Sequence, residues 1–295
     1  MALQLKTVNT AHGLRWIIDA LRLFVRKPVA FTALFAMFLG AALLVSLVPL
    51  LGGLVQMMAL PMLSLGFMVA AQSALLAGPV HPRCFLEPLQ GDVQRRRALL
   101  ILCALYGVLA VGILLLANAV SDNAWMRLQD LLAKGSVAQR QVDALMQEPG
   151  VQNGVLTAAV LGSLLSVPFW HAPALVHWGG QSWGQALFSS TLALWRNKGA
   201  FTAYLLGWLA LVLVFAAVTG LLLGLLGMPG AANVLAIPAG LVLSAAFYIS
   251  LLFCFNDSFG GAKLQSELPA DDEHPGSPPP PPHPPPPSQL PPPQP

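Results

Sequence analysis

The chain has 295 residues, of which 56% are hydrophobic and only 9% charged, against roughly 25% charged in an ordinary soluble domain. So few charges cannot cover a water-soluble fold of this size, and a net charge of +3 is too small to argue for a nucleic-acid partner. The three cysteines (Cys84, Cys103 and Cys254) have no metal-ligand spacing, and their odd number argues against a disulfide framework.

The mean hydropathy of +0.69 is concentrated in long apolar runs. Residues 1–27 carry charges throughout and show no cleavage-site pattern, so the first run, from Val29, is expected to act as an uncleaved signal anchor. Within residues 11–26, Leu14, Ile17, Ile18, Leu21 and Val25 recur at helical spacing, with Arg15, Asp19, Arg22 and Arg26 opposite. This pattern predicts an amphipathic helix lying in the membrane interface, with Trp16 at headgroup level.

Six spans are predicted at about 29–51, 54–77, 98–118, 154–178, 201–227 and 232–256, each near the ~20 residues that a bilayer core requires. Leu51-Gly52-Gly53 is expected to turn between the first two and Gly227-Met228-Pro229-Gly230 between the last two. None has Lys, Arg, Asp or Glu at its centre, where one such charge would cost about 2.5–3.5 kcal/mol. Twelve Lys and Arg residues fall on one side of this topology, in the N-terminal segment, the 78–97 and 179–200 loops and the tail. Three (Arg127, Lys134 and Arg140) fall on the other, so the positive-inside rule predicts cytoplasmic N- and C-termini.

The 119–153 loop is expected to hold two short helices on the outer surface. Residues 1–262 thus form one transmembrane domain. Residues 263–295 are a proline-rich cytoplasmic tail expected to be disordered or polyproline II, serving as a spacer or as a ligand for an aromatic groove. An internal repeat is also suggested. Residues 26–33 (RKPVAFTA) resemble residues 196–203 (RNKGAFTA), each following an amphipathic stretch and opening a hairpin of spans. In the second stretch Leu187, Thr191 and Leu194 share a face.

Polar residues within the spans are the candidate sites. His171 and His177 lie in a fourth span interrupted by Pro168 and Pro173. Six residues apart, they do not share a helix face and have no adjacent acidic partner, so no metal site is expected. Gln72 and Asn233, with Gln56, Ser73 and Asn118, could line a path or hydrogen-bond between helices. Asp257 is expected to anchor at the interface or to pair with Arg26 or Arg196. Gly220 and Gly224 form a small-xxx-small pair that would let another helix approach. The chain has no phosphate-binding loop, nucleophile elbow or HExxH motif, and no cofactor is expected.

Gly13-Leu14-Arg15-Trp16, Leu23-Phe24, Lys27-Pro28, Pro61, Gly66 and the run from Pro168 to Val176 together resemble an uncharacterised family of bacterial six-span inner-membrane proteins. The resemblance covers about residues 10–258. The proline-rich fourth span and Arg196-Asn197 are distantly similar to the membrane domain attached to some glycerophosphodiester phosphodiesterases, but no soluble phosphodiesterase domain is read in these residues, so that activity is not expected. The resemblance implies an inner-membrane location and a six-helix fold, and it supplies no catalytic or binding residue.

The expectation is therefore an all-α polytopic bundle with amphipathic interfacial helices. Its leading function is that of a non-enzymatic membrane component acting through lipids, a homo-oligomer or a membrane-protein partner. The alternative is a small-solute transporter or channel.

Overall fold

In a computed structural model, residues 3–48, 51–124, 126–127, 130, 144, 147–228 and 231–260 are described, without the side chains of residues 232 and 233. The expected outer-loop helices fall largely outside these residues, and the proline-rich tail falls wholly outside them.

The described residues form α-helices and two short 3-10 turns, with no strand. The helices are α1 (His12–Arg26), α2 (Pro28–Ser46), α3 (Leu51–Leu75), α4 (Val93–Val120), α5 (Pro149–Phe169), α6 (Ala172–Gly179), α7 (Trp183–Arg196), α8 (Lys198–Leu225) and α9 (Ala231–Phe259). Six segments are long and apolar enough to cross a bilayer: α2, α3, α4, α5 with α6, α8 and α9. The turn expected at Leu51-Gly52-Gly53 lies earlier, because α2 ends at Ser46 and α3 already starts at Leu51. Gly52 instead lets α3 pass close to α2; an added Cβ would collide with the Val45 carbonyl oxygen.

α3 is central, packing on α2, α4 and α9, while α4 packs in turn on α5. Lipid tails are as apolar as leucine, so helix association depends on close packing and interhelical hydrogen bonds. Both devices recur here. Gly107 of α4 leaves room for Met58 of α3, and Gly66 leaves room for the Phe85 ring. Gln56 Nε2 donates to the Ala42 carbonyl of α2 (2.6 Å), and Tyr204 and Ser250 join α8 to α9 through their hydroxyls (2.7 Å).

The packing is concentrated at the end of the bundle that carries most of the basic residues. There the segment 3–10 lies across the helix ends: Lys6 N donates to the Ser258 carbonyl (2.8 Å) and Val8 N to Asn197 Oδ1 (2.8 Å). Towards the opposite end α8 is almost wholly exposed from Leu209 to Leu225, and among the described residues no atom of a neighbouring element lies within 4 Å of a Cβ built at Gly220 or Gly224. The small-xxx-small pair therefore serves no helix contact among the described residues.

α1 is an amphipathic helix, but it is packed into the protein rather than resting beside it. Gly13, Trp16, Ile17, Ala20, Leu23 and Phe24 are buried, and α8 and α9 are its main neighbours. The apolar face read from the sequence is split, since Leu14, Ile18 and Val25 remain exposed. Trp16 is 1% exposed, so its ring packs inside the protein rather than against lipid. It packs on Phe201 and Tyr204, and its Nε1 donates to Asp257 Oδ2 at 2.7 Å. On α7 the buried residues are likewise the small ones, Ala186, Ser190 and Ala193, while Thr191 is exposed.

The two repeat-like segments adopt the same local design. Each is a helix that ends, a single non-helical hinge residue (Lys27 or Asn197), and a span whose fourth residue is a buried phenylalanine, Phe31 or Phe201. Phe31 N donates to the Lys27 carbonyl (3.2 Å) and Phe201 N to the Asn197 carbonyl (3.1 Å). Their settings differ: α1 lies mainly on α8 and α9, whereas α7 lies mainly on α5 and α6.

At Gly13 the backbones of α1 and α8 approach closely. A Cβ there would collide with the Ala200 carbonyl oxygen and lie 2.8 Å from Tyr204 N, both of them backbone atoms. Gly13→Ala is expected to cost about 1–3 kcal/mol through overpacking. Gly220→Ala meets open space and should gain up to about 1 kcal/mol of helix propensity. Thermal unfolding of both variants in one detergent checks the contrast.

Candidate functional site

The fourth span does not run straight through. Pro168 lacks a backbone N–H and α5 ends at Phe169; α6 starts only at Ala172, with Pro173 in its first turn. An interrupted helix at membrane depth must satisfy its freed backbone groups within the protein. Ser190 of α7 does so. Its hydroxyl accepts from His171 N (3.0 Å) and donates to the Val167 carbonyl (3.1 Å), and it is fully buried.

The break places two adjacent side chains in different surroundings. His171 is fully buried among the rings of Phe201, Phe255 and Phe259, with centroids 5.5–5.8 Å away. Neither of its ring nitrogens has a hydrogen-bond partner among the described residues. Trp170 also packs on Phe201 (6.0 Å) but borders two clefts. One, of about 200 Å³, lies between α3, α4, α5 and α9 and is bordered by Ser64, Tyr106, Ser166, Phe247 and Tyr248. The other, of about 550 Å³, lies between α5, α7 and α8 and is bordered by Ser166, Leu194 and Leu205. Ser166 borders both.

Polar groups in the clefts are uncharged. Trp170 Nε1 is buried without a partner, and the hydroxyls of Tyr106 and Tyr248 have none among the described residues. The serines are engaged locally, Ser64 with the Pro61 carbonyl (2.9 Å) and Ser166 with the Ser163 carbonyl (2.7 Å). No carboxylate, histidine or cysteine borders either cleft, so neither offers a nucleophile paired with a base. The clefts can hold the apolar part of an amphiphile, and Tyr106 and Tyr248 bring hydrogen-bond donors to their border for an acceptor that it carries.

The residues singled out from the sequence are not brought together here. His177 lies in α6 with its ring 5.3 Å from Trp178, Gln72 is half-buried near the end of α3, and neither borders a cleft, nor does His171. Asn233 belongs to α9, with its side chain outside the described residues. Among the described residues, no three His, Cys, Asp or Glu side chains converge as metal ligands. Asp257 pairs with neither Arg26 nor Arg196; its Oδ2 lies 2.8 Å from His12 Nδ1 and accepts from Trp16. Nearby, burial raises the Asp19 carboxyl above its usual range, partly opposed by Arg22 at 3.7 Å.

Sequence reasoning missed Ser190, Tyr106 and Tyr248. The interrupting prolines were the available signal that a hydroxyl had to be recruited nearby. Ser190→Ala strips the partner from one buried N–H and is expected to cost about 1–2 kcal/mol. Ser190→Thr keeps the hydroxyl. Unfolding midpoints of the two variants should differ in that order.

The chain is 32% identical over 260 residues to a protein of Burkholderia thailandensis called "Probable inner membrane protein", an alignment spanning 88% of this chain and 94% of that protein. No family model matches the chain, and no solved structure does. With that identity over nearly the whole of both chains, and six helices fit to cross a bilayer, this chain belongs to the family of that inner membrane protein.

Proposed function

We propose that the protein is a non-enzymatic, lipid-interacting component of the bacterial inner membrane, with both termini in the cytoplasm, that holds a membrane amphiphile against Trp170. The observation that carries this reading is the meeting of two clefts at the Trp170 ring, whose indole N–H is buried beside them without a partner. An unpaired buried donor costs about 1–3 kcal/mol, and a ligand that accepts a hydrogen bond there removes the cost.

Cleft size argues for part of a lipid rather than a whole polar solute. An apolar cavity of about 150 Å³ takes up benzene, whereas sites for whole small molecules run to about 300–1,000 Å³. The cleft of about 200 Å³ suits a chain segment or a single ring, and the neighbouring one of about 550 Å³ gives that chain a continuation. Their adjacency at Trp170 and Ser166 supports one ligand entering both.

A phospholipid carrying a photoreactive diazirine in its acyl chain tests this. Labelling is expected on α5 and α9 residues around Ser166 and Phe247, and should fall about fivefold in Ala159→Trp, which fills the larger cleft. Labelling spread evenly over the exposed leucines of α2 would indicate ordinary boundary lipid and end the proposal. Trp170→Phe keeps a ring but removes the donor; reduced labelling in this variant identifies the indole N–H as the contact.

Orientation rests on the placement of basic residues, twelve against three. A fluorescent protein fused to the C-terminus is expected to mature, and alkaline phosphatase at the same place to stay inactive. The reverse pattern refutes cytoplasmic termini.

A further inference from the structure

At the basic end of the bundle a separate cavity of about 620 Å³ opens between the start of α4 and the turn joining α6 to α7. Gly180, in the left-handed region (φ +61°), ends α6 and allows this turn. Ser182 then caps α7, its hydroxyl accepting from Gln185 N (3.4 Å) while Gln185 Oε1 accepts from Ser182 N (3.2 Å). We infer that this cavity is a binding site for a phosphate ester, with Arg95 and Arg97 holding the phosphate.

Four observations converge on it. Arg95 and Arg97 both border the cavity, and neither has a carboxylate within 4.0 Å among the described residues. Two guanidiniums left unpaired beside one cavity suit a dianion or a phosphodiester better than any neutral group. Asp92 is the one acidic side chain at the cavity, so its charge stays positive. Gln181 borders it too, and its carboxamide oxygen is buried with no partner. A hydroxyl or ammonium close to the phosphate would satisfy that acceptor once the carboxamide turns toward the cavity. Finally, Ala98 and Ile101 form an apolar wall continuing down α4 into the span, and Trp183 stands at the rim, 44% exposed. A phosphate ester bearing a donor and followed by an apolar part has the chemistry of a phospholipid headgroup. A soluble glycerol phosphate offers the same polar groups without the apolar part.

The site is independent of the Trp170 clefts. It shares no lining residue with them, and it lies at the start of α4, whereas Tyr106 stands about three turns further along that helix. Loss of either site therefore leaves the other standing.

The test uses the full chain in phosphatidylcholine nanodiscs with 0 or 30% phosphatidylglycerol, mole fractions chosen for the experiment at about the anionic content that creates a surface potential. Bound lipid is counted by native mass spectrometry after release into detergent. Arg95→Gln with Arg97→Gln is compared with Arg83→Gln with Arg96→Gln, which removes the same charge from exposed arginines outside the cavity. The cavity variant is expected to bind phosphatidylglycerol roughly twenty-five-fold more weakly, about fivefold per arginine, and the control to be unchanged. Equal loss in both variants would mean a diffuse attraction of the basic face and overturns the site, as would no loss in either. Circular dichroism of each variant confirms folding. Competition with glycerol 3-phosphate separates the sources. Displacement of the lipid at millimolar concentration assigns the site to soluble phosphate esters, and failure to displace assigns it to the lipid.

Discussion

A backbone that crosses hydrocarbon has no water to bond, and this constraint governs how the protein is built. Three spans carry internal prolines, Pro61 in α3, Pro168 in the α5–α6 span and Pro238 in α9. Each removes a donor that a neighbouring carbonyl would otherwise have received. Where Pro168 and Pro173 bracket Trp170 and His171, the helix breaks, and Ser190 supplies both a donor and an acceptor across the break. The break would otherwise leave polar groups bare in lipid, so α7 must lie against α5 and α6. At the break Trp170 comes to border the clefts, while His171 is enclosed by Phe201, Phe255 and Phe259.

A second consequence concerns where stability resides. Water outside the bilayer rewards apolar burial, and lipid does not. The tightest packing accordingly gathers at the basic end, where segment 3–10, α1 and the helix ends meet and where water is excluded from Trp16 and Phe24. Asp257 sits at the same level, its carboxylate held by His12 and the Trp16 indole. Away from this end, α2 and α8 expose leucines to lipid at little cost, which is why Gly220 and Gly224 can stand without a neighbour. Exposure on these helices is what a span in contact with hydrocarbon looks like.

How much could be read from the sequence follows from the same physics. The six spans were legible because length and hydropathy suffice to define a span, and α1 was legible from its 3.6-residue period. Which face of α1 would be buried was not. In a membrane an apolar face can meet lipid or protein equally well, so Leu14 and Ile18 looked like Ile17 although only Ile17 is packed. Glycines and alanines decide close approach, and hydropathy hardly registers them, which hid the roles of Gly13 and Ala193. The turn before α3 was misplaced because Gly-Gly reads as a loop when it can equally be a place where two helices touch. At the site, the histidines drew attention because an ionisable residue inside a span usually signals function. The donors that border the clefts, Trp170, Tyr106 and Tyr248, are ordinary aromatics in sequence and become visible only when three helices bring them together.

The distribution of polar groups along the bundle then bears on what kind of molecule the protein can hold. The clefts at Trp170 present hydrogen-bond donors and no charge, and a charged solute placed there would lack the compensation that burial demands. The cavity at the basic end presents guanidiniums and an unfilled acceptor, beside an apolar wall that leads into the span. Neutral, donor-bearing surfaces within the membrane and cationic ones at its edge match the division of a phospholipid into chain and headgroup. A hydrophilic permeant would need the opposite order, with polar groups continued through the middle. On the proposed reading, the placement of its few polar side chains suits holding lipids better than passing solutes.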